Sequence, residues 1–154
     1  MTIEDDIALL QRVAVLRRLG APALRILAIG AESYSVEAGQ LLFAAGEAAD
    51  CAYIVQRGSI HLRPERPADG ELIAEPGSLL GESALLSQTL RRATATARED
   101  SIVLRISRPM FLKMLENYPE AALRLRALIA SRAKEWSGEM ESVRTALARG
   151  TGPR

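Results

Sequence analysis

The sequence predicts a mainly β fold, a sandwich or barrel, with helices at both ends. Three observations predict it. Apolar residues recur at helical spacing before Ser33 and again after Ser107. Between them the chain breaks into short segments rich in β-formers, each bounded by Gly or Asp turns. No repeat, low-complexity tract or Gly/Ser linker divides residues 1–154, so they read as a single domain.

Taken in order, residues 1–30 are predicted helical. Ile7, Leu10, Val13 and Leu16 make one apolar stripe, and Pro22 suits the first turn of a second helix through Leu24, Leu27 and Ala28, bracketed by Gly20 and Gly30. Residues 31–107 form the β region. Its predicted strands are Tyr34–Val36, Leu41–Ala44, Ala52–Gln56, Ser59–Arg63, Glu71–Ala74, Arg91–Ala97 and Ser101–Ile106, separated by turns such as Gly46-Glu47, Arg57-Gly58 and Pro76-Gly77. Residues 108–149 return to helix. Ser107 suits an N-cap and Pro109 the first turn of Arg108–Asn117. Pro119 then opens a long helix expected to reach Arg149, with a stripe of Ala122, Leu125, Ile129, Trp136, Met140, Val143 and Leu147. That stripe suits packing on the barrel or a homodimer seam.

Composition excludes several functions. With 48% hydrophobic and 25% charged residues the chain is globular in type, and a formal net charge of +1 gives no bulk attraction for nucleic acid. The basic pairs Arg17-Arg18 and Arg124 with Arg126 are balanced by acids and lack interleaved aromatics, so direct DNA binding is not expected. One cysteine, Cys51, fits a reducing cytoplasm and reads as a small core residue. The acidic start and the lack of an apolar run of ~20 residues argue against secretion or membrane insertion. A cytoplasmic location is expected. One histidine, His61, cannot furnish a metal site and reads as a strand residue on a solvated face. No cofactor, metal or catalysis is expected.

The informative stretch is Gly81-Glu82-Ser83-Ala84-Leu85-Leu86, followed by Arg91-Arg92-Ala93-Thr94-Ala95-Thr96-Ala97. A glycine lets backbone approach a ligand, and the start of a short helical turn offers unpaired N–H groups to an anion. An arginine opens the next strand, and guanidinium grips phosphate in bidentate fashion. Glu82, an acceptor beside an anion site, suits a ligand that also carries ribose hydroxyls. Strand alternation places Arg91 with Ala93, Ala95 and Ala97 on the inner wall, and Arg92 with Thr94 and Thr96 on the outer one.

This segment resembles the phosphate-binding cassette of the cyclic nucleotide-binding domain family, whose pattern is Gly-Glu-x-Ala-Leu, then Pro-Arg-small-Ala-Thr. Gly81, Glu82, Ala84, Leu85, Arg91, Ala93 and Thr94 match at that spacing, over a cassette at 81–94. Tyr53-Ile54-Val55 with Arg57-Gly58-Ser59 resembles the family's barrel hairpin, and Leu41-Leu42-Phe43 with Gly46-Glu47 its opening strand and turn. Two positions depart. Leu90 replaces the proline, and Arg92 stands where the family has Ser, Thr or Ala beside the phosphate or base.

The resemblance implies a jelly-roll β-barrel (a double-stranded β-helix). It also implies a cyclic mononucleotide ligand, cAMP first and cGMP second, since the family's threonine associated with cGMP is absent at 92. Arg91 and the backbone around Ala84 would hold the phosphate, with Ser83, Arg92 and Ala93 beside it. Glu82 and Gly81 would hold the ribose. Arg132 or Trp136 would cover the base, or else Trp136 packs and Arg132 is solvated. The expected function is a sensor that signals by moving its C-terminal helices to an effector protein, because no effector domain follows the long helix. The alternative is a degenerate fold serving as an interaction or dimerisation module.

Overall fold

The structure, a computed structural model, describes residues 2–131. Three helices come first: α1 (Ile3–Gln11), α2 (Ala14–Arg17) and α3 (Ala21–Gly30). A capping box starts α1, with Thr2 Oγ1 accepting from Asp5 N–H at 3.2 Å while Thr2 N–H donates to Asp5 Oδ2 at 3.1 Å. The first apolar stripe does not run unbroken, because α1 stops at Gln11 and α2 restarts after Val13. Pro22 lies in the first turn of α3, as expected.

Ten strands follow: β1 (Glu32–Val36), β2 (Leu41–Phe43), β3 (Ala48–Ala49), β4 (Cys51–Arg57), β5 (Ile60–Pro64), β6 (Leu72–Ala74), β7 (Leu79–Leu80), β8 (Thr89–Leu90), β9 (Ala93–Ala97) and β10 (Ser101–Ser107). All pair antiparallel. They form two four-stranded sheets, ordered β1-β10-β4-β7 and β2-β9-β5-β6, with β3-β8 as a short ribbon. This is a jelly-roll with flanking helices. The short strands β3, β7 and β8 were not expected. Two residues carry no periodicity, so nothing in their sequence marks them.

The first sheet is covered on both faces, and its strands read accordingly as near-continuous apolar runs. On β4 and β10, Val55 and Val103 face the barrel interior with Val36, Phe43, Ile60, Ala95 and Ala97. Ala52, Ile54, Leu104 and Ile106 of the same strands face the helices. There they meet Leu10, Leu24 and Leu27 of the N-terminal helices and Phe111 and Met114 of α4 (Arg108–Asn117). Each such side chain contributes about 1.5–3 kcal/mol by leaving water.

Ser107 caps α4, its hydroxyl accepting from Met110 N–H at 3.3 Å. A further helix occupies residues 119–131. Its buried side is Ala121 and Leu125, while Ile129, expected in the stripe, is 44% exposed. The rest of the predicted long helix lies outside the described residues. No described helix is long and apolar enough to cross a membrane.

Candidate ligand-binding site

One end of the barrel holds a cavity of about 220 Å³. Phe43, Leu62 and Leu80 form its wall, Gly81, Ser83 and Ala84 one side, and Arg91, Arg92 and Ala93 another. The predicted cassette is thereby brought to one place. Between Leu80 and Thr89 the chain makes a one-turn 3-10 helix, Glu82–Leu85, entered through Gly81.

Arg91 is the centre of this arrangement. Its backbone is clamped to the turn after β2, donating to Glu47 O at 2.7 Å and accepting from Gly46 N–H at 2.8 Å. Its side chain points inward, as the alternation predicts, and is only 6% exposed. Nη2 donates to Cys51 O at 2.8 Å and to Cys51 Sγ at 3.3 Å. The guanidinium lies 4.4 Å from the centroid of the Phe43 ring and 5.6 Å from that of Tyr53. These are cation–π distances. The ion pairs among the described residues engage Arg105, Arg124 and His61, none of them Arg91. Nη1 is buried with no hydrogen-bond partner. A buried cation without a counter-charge costs several kcal/mol, and an unsatisfied donor about 1–3 kcal/mol. One carbonyl and two ring faces offset part of that cost.

Gly81 makes the arrangement sterically open. Its φ of +78° is left-handed, and a Cβ there would collide with Arg91 Nη1. Tyr53 stacks on Phe43 with ring centroids 6.0 Å apart. Burial, and then a hydrogen bond with Cys51, push its phenol up to about 12. Cys51 is buried, as expected of a small core residue, and it also anchors Arg91. No feature of a lone cysteine in sequence signals that second role.

The remaining expected residues divide. Ser83 is exposed at the cavity wall, and Ala84 is buried, its N–H already donating to Gly81 O at 3.1 Å within the turn. Arg92 is exposed at the mouth and Ala93 half-buried. Glu82 is not brought to this cavity. It borders a small apolar space with Leu86, Leu128 and Ile129, on the helix side of the turn. Arg132 and Trp136 lie outside the described residues.

Arg108 was not singled out from sequence. At the start of α4, its Nη1 donates to Ala49 O at 3.2 Å and Ala84 O at 3.3 Å, tying α4 to β3 and the cassette. An arginine following an N-cap serine carries no signal of such a reach.

The sequence profile described as "Cyclic nucleotide-binding domain" matches residues 34–118, which span the barrel, the cassette and α4. The chain belongs to the cyclic nucleotide-binding domain family.

Among its relatives in that family, the Cyclic AMP receptor protein of Thermus thermophilus is 31% identical over 106 residues, 67% of this chain and 49% of that protein. Lysophospholipase NTE1 of Chaetomium globosum is 28% identical over 106 residues, 67% of this chain and 7% of that protein. The chain thus spans about half or less of the curated relatives it matches. A solved cyclic nucleotide-binding-like protein from Brucella abortus is 42% identical, with a TM-score of 0.64 over 73% of this chain and 98% of that one. The matched region is thus part of a protein named as a cyclic AMP receptor and part of a much longer one named as a lysophospholipase.

A larger groove, about 660 Å³, opens between the start of α3 and the turn after α4. It is not the candidate site. Its guanidinium, Arg124, is already turned onto Leu19 O at 3.3 Å and lies 3.9 Å from Glu120.

Proposed function

We propose that the chain is a receptor domain that binds a cyclic mononucleotide through its phosphate and ribose and catalyses nothing. The observation that carries this reading is Arg91, a buried cation with no carboxylate partner and one unsatisfied donor beside the cavity. An arriving phosphate would supply the missing charge and acceptor, in a charge-assisted bidentate contact. The cavity, at about 220 Å³, is smaller than the ~300 Å³ of typical ligand sites, so it suits the sugar-phosphate and leaves the base at the mouth. Leu90 and Arg92, both exposed and both lining the cavity, stand there. Arg132 and Trp136 remain the proposed cover for the base.

In this reading Glu82 reaches the ribose only when the 3-10 turn re-forms around the ligand. That step supplies the signal. The turn packs through Leu85 against Phe111 and Leu125, so its movement is felt by α4 and by helix 119–131. The recipient would be a partner protein, another part of a longer chain, or a second copy across the C-terminal helix. The position of Glu82 outside the cavity favours one second reading, an interaction module of this fold without ligand.

Calorimetric titration of the folded, ligand-free protein with cAMP, cGMP and 5′-AMP tests the proposal. cAMP is the first probe, since the sequence reading puts it first and a Thermus relative is named for it. At least one cyclic nucleotide is expected to bind at micromolar affinity or better, with linear 5′-AMP at least about tenfold weaker, near 1.4 kcal/mol. No heat with either cyclic nucleotide overturns the proposal and leaves the interaction module.

A further inference from the structure

We infer that the site reads the charge on the ligand's phosphate: it admits singly charged phosphodiesters, linear as well as cyclic, and excludes doubly charged monoesters. The inference rests on the phosphate reading of Arg91 and widens the ligand class beyond the cyclic one. Arg91 is buried, and the ion pairs among the described residues do not include it. Its Nη2 is bonded to Cys51 and its Nη1 has no partner. The cavity therefore meets one desolvated positive charge. Other cations nearby are spent or wet. Arg105 lies 3.9 Å from Glu32 and 3.6 Å from Asp50, and Arg108 donates to the Ala49 and Ala84 carbonyls. Arg92 is exposed at the mouth, where water and salt screen it.

A monoanion beside Arg91 cancels that charge. A dianion leaves one negative charge unbalanced in the cavity, and an unpaired charge away from water is the costly case. The walls do not take it up. Phe43, Leu62 and Leu80 offer no side-chain donors, and the ring faces of Phe43 and Tyr53 that hold Arg91 favour a cation over an anion. The Ala84 N–H, the donor that the cassette backbone would offer, is already bonded to Gly81 O at 3.1 Å. Glu82, turning in toward the ribose, would add a carboxylate that opposes a second negative charge further. A phosphodiester has no second proton to lose, whereas a monoester loses one at a pKa of about 6.

The test is a calorimetric titration of the folded protein with cAMP, 5′-AMP and the methyl ester of 5′-AMP. The ester is linear like 5′-AMP but singly charged like cAMP. Near pH 8 it is expected to bind about tenfold tighter than 5′-AMP. Near pH 5.5 the monoester has regained most of its second proton, and the affinity for 5′-AMP is expected to rise about tenfold while the two diesters hold steady. cAMP keeps one charge throughout, so it reports any titration of the protein itself, His61 included. Circular dichroism verifies the fold at both pH values. A methyl ester no tighter than 5′-AMP near pH 8 overturns the inference, as does a 5′-AMP affinity that merely follows that of cAMP between the two pH values. Either outcome leaves the cyclic-nucleotide reading standing, with ring closure instead of charge as the selected feature. Absence of binding by all three overturns both.

Discussion

The guanidinium of Arg91 occupies the space that a side chain at residue 81 would take. Ten positions apart in sequence, Gly81 and Arg91 are one device. The glycine keeps open the place where an inward cation can stand beside the cavity with one nitrogen unspent.

Gly81→Ala should therefore act twice. The left-handed backbone costs about 1–2 kcal/mol for a residue with a Cβ, and the clash displaces Arg91. Urea denaturation is expected to show the first loss, and nucleotide titration a tenfold or greater loss of affinity. In an Arg91→Ala background the clash disappears, so a double-mutant cycle should give a coupling above about 0.5 kcal/mol. Additive stabilities would show that the two residues do not touch.

Arg108→Gln removes the reach from α4 to Ala49 O and Ala84 O. Two carbonyls near the barrel lose a charged donor, at about 1.5–3 kcal/mol each when fully desolvated and less at this partly buried site. A drop of about 1–2 kcal/mol in urea denaturation is expected, with an unchanged far-ultraviolet circular dichroism spectrum.

Tyr53 predicts alkaline behaviour. Its phenol is pushed up to about 12 in the fold, by burial and by Cys51, from the model-peptide 10. Between those values an unfolded tyrosine loses its proton while Tyr53 keeps it. The folded state then binds more protons, so stability is fully present below pH 10 and falls as pH rises toward about 12. Urea midpoints across that window should fall less steeply in Tyr53→Phe than in the parent.

Ser107→Ala deletes the α4 cap and is expected to cost about 1 kcal/mol, read as a lowered urea midpoint. Ligand affinity should change by less than about twofold, since the hydroxyl's partner is Met110 N–H at the start of α4 and Ser107 does not line the cavity.

Much of this was legible in the sequence, for physical reasons. Strand alternation from Ala95 and Ala97 favoured Arg91 inward and Arg92 outward, and the burial of the two agrees. The strand expected to start at Arg91 nevertheless starts at Ala93, and Arg92 lies in a bend before it. Ser107 and Pro22 announced helix starts through chemistry that no neighbour modifies. Other features depend on contacts distant in sequence. The anchoring of Arg91 by Cys51, 40 residues away, and the reach of Arg108 to Ala49, 59 residues away, exist only once the chain is folded. The 3-10 turn that aims Glu82 at the helices is likewise a tertiary choice. Nothing in Gly-Glu-Ser-Ala announces which way it turns.

The most direct test of the account is a calorimetric titration of cyclic nucleotide against Arg91→Ala beside the parent protein, both verified as folded. The account predicts a loss of about a hundredfold, near 2.7 kcal/mol, because the phosphate loses its one buried charge. Unchanged affinity in Arg91→Ala would contradict it and place the ligand's phosphate elsewhere on the molecule.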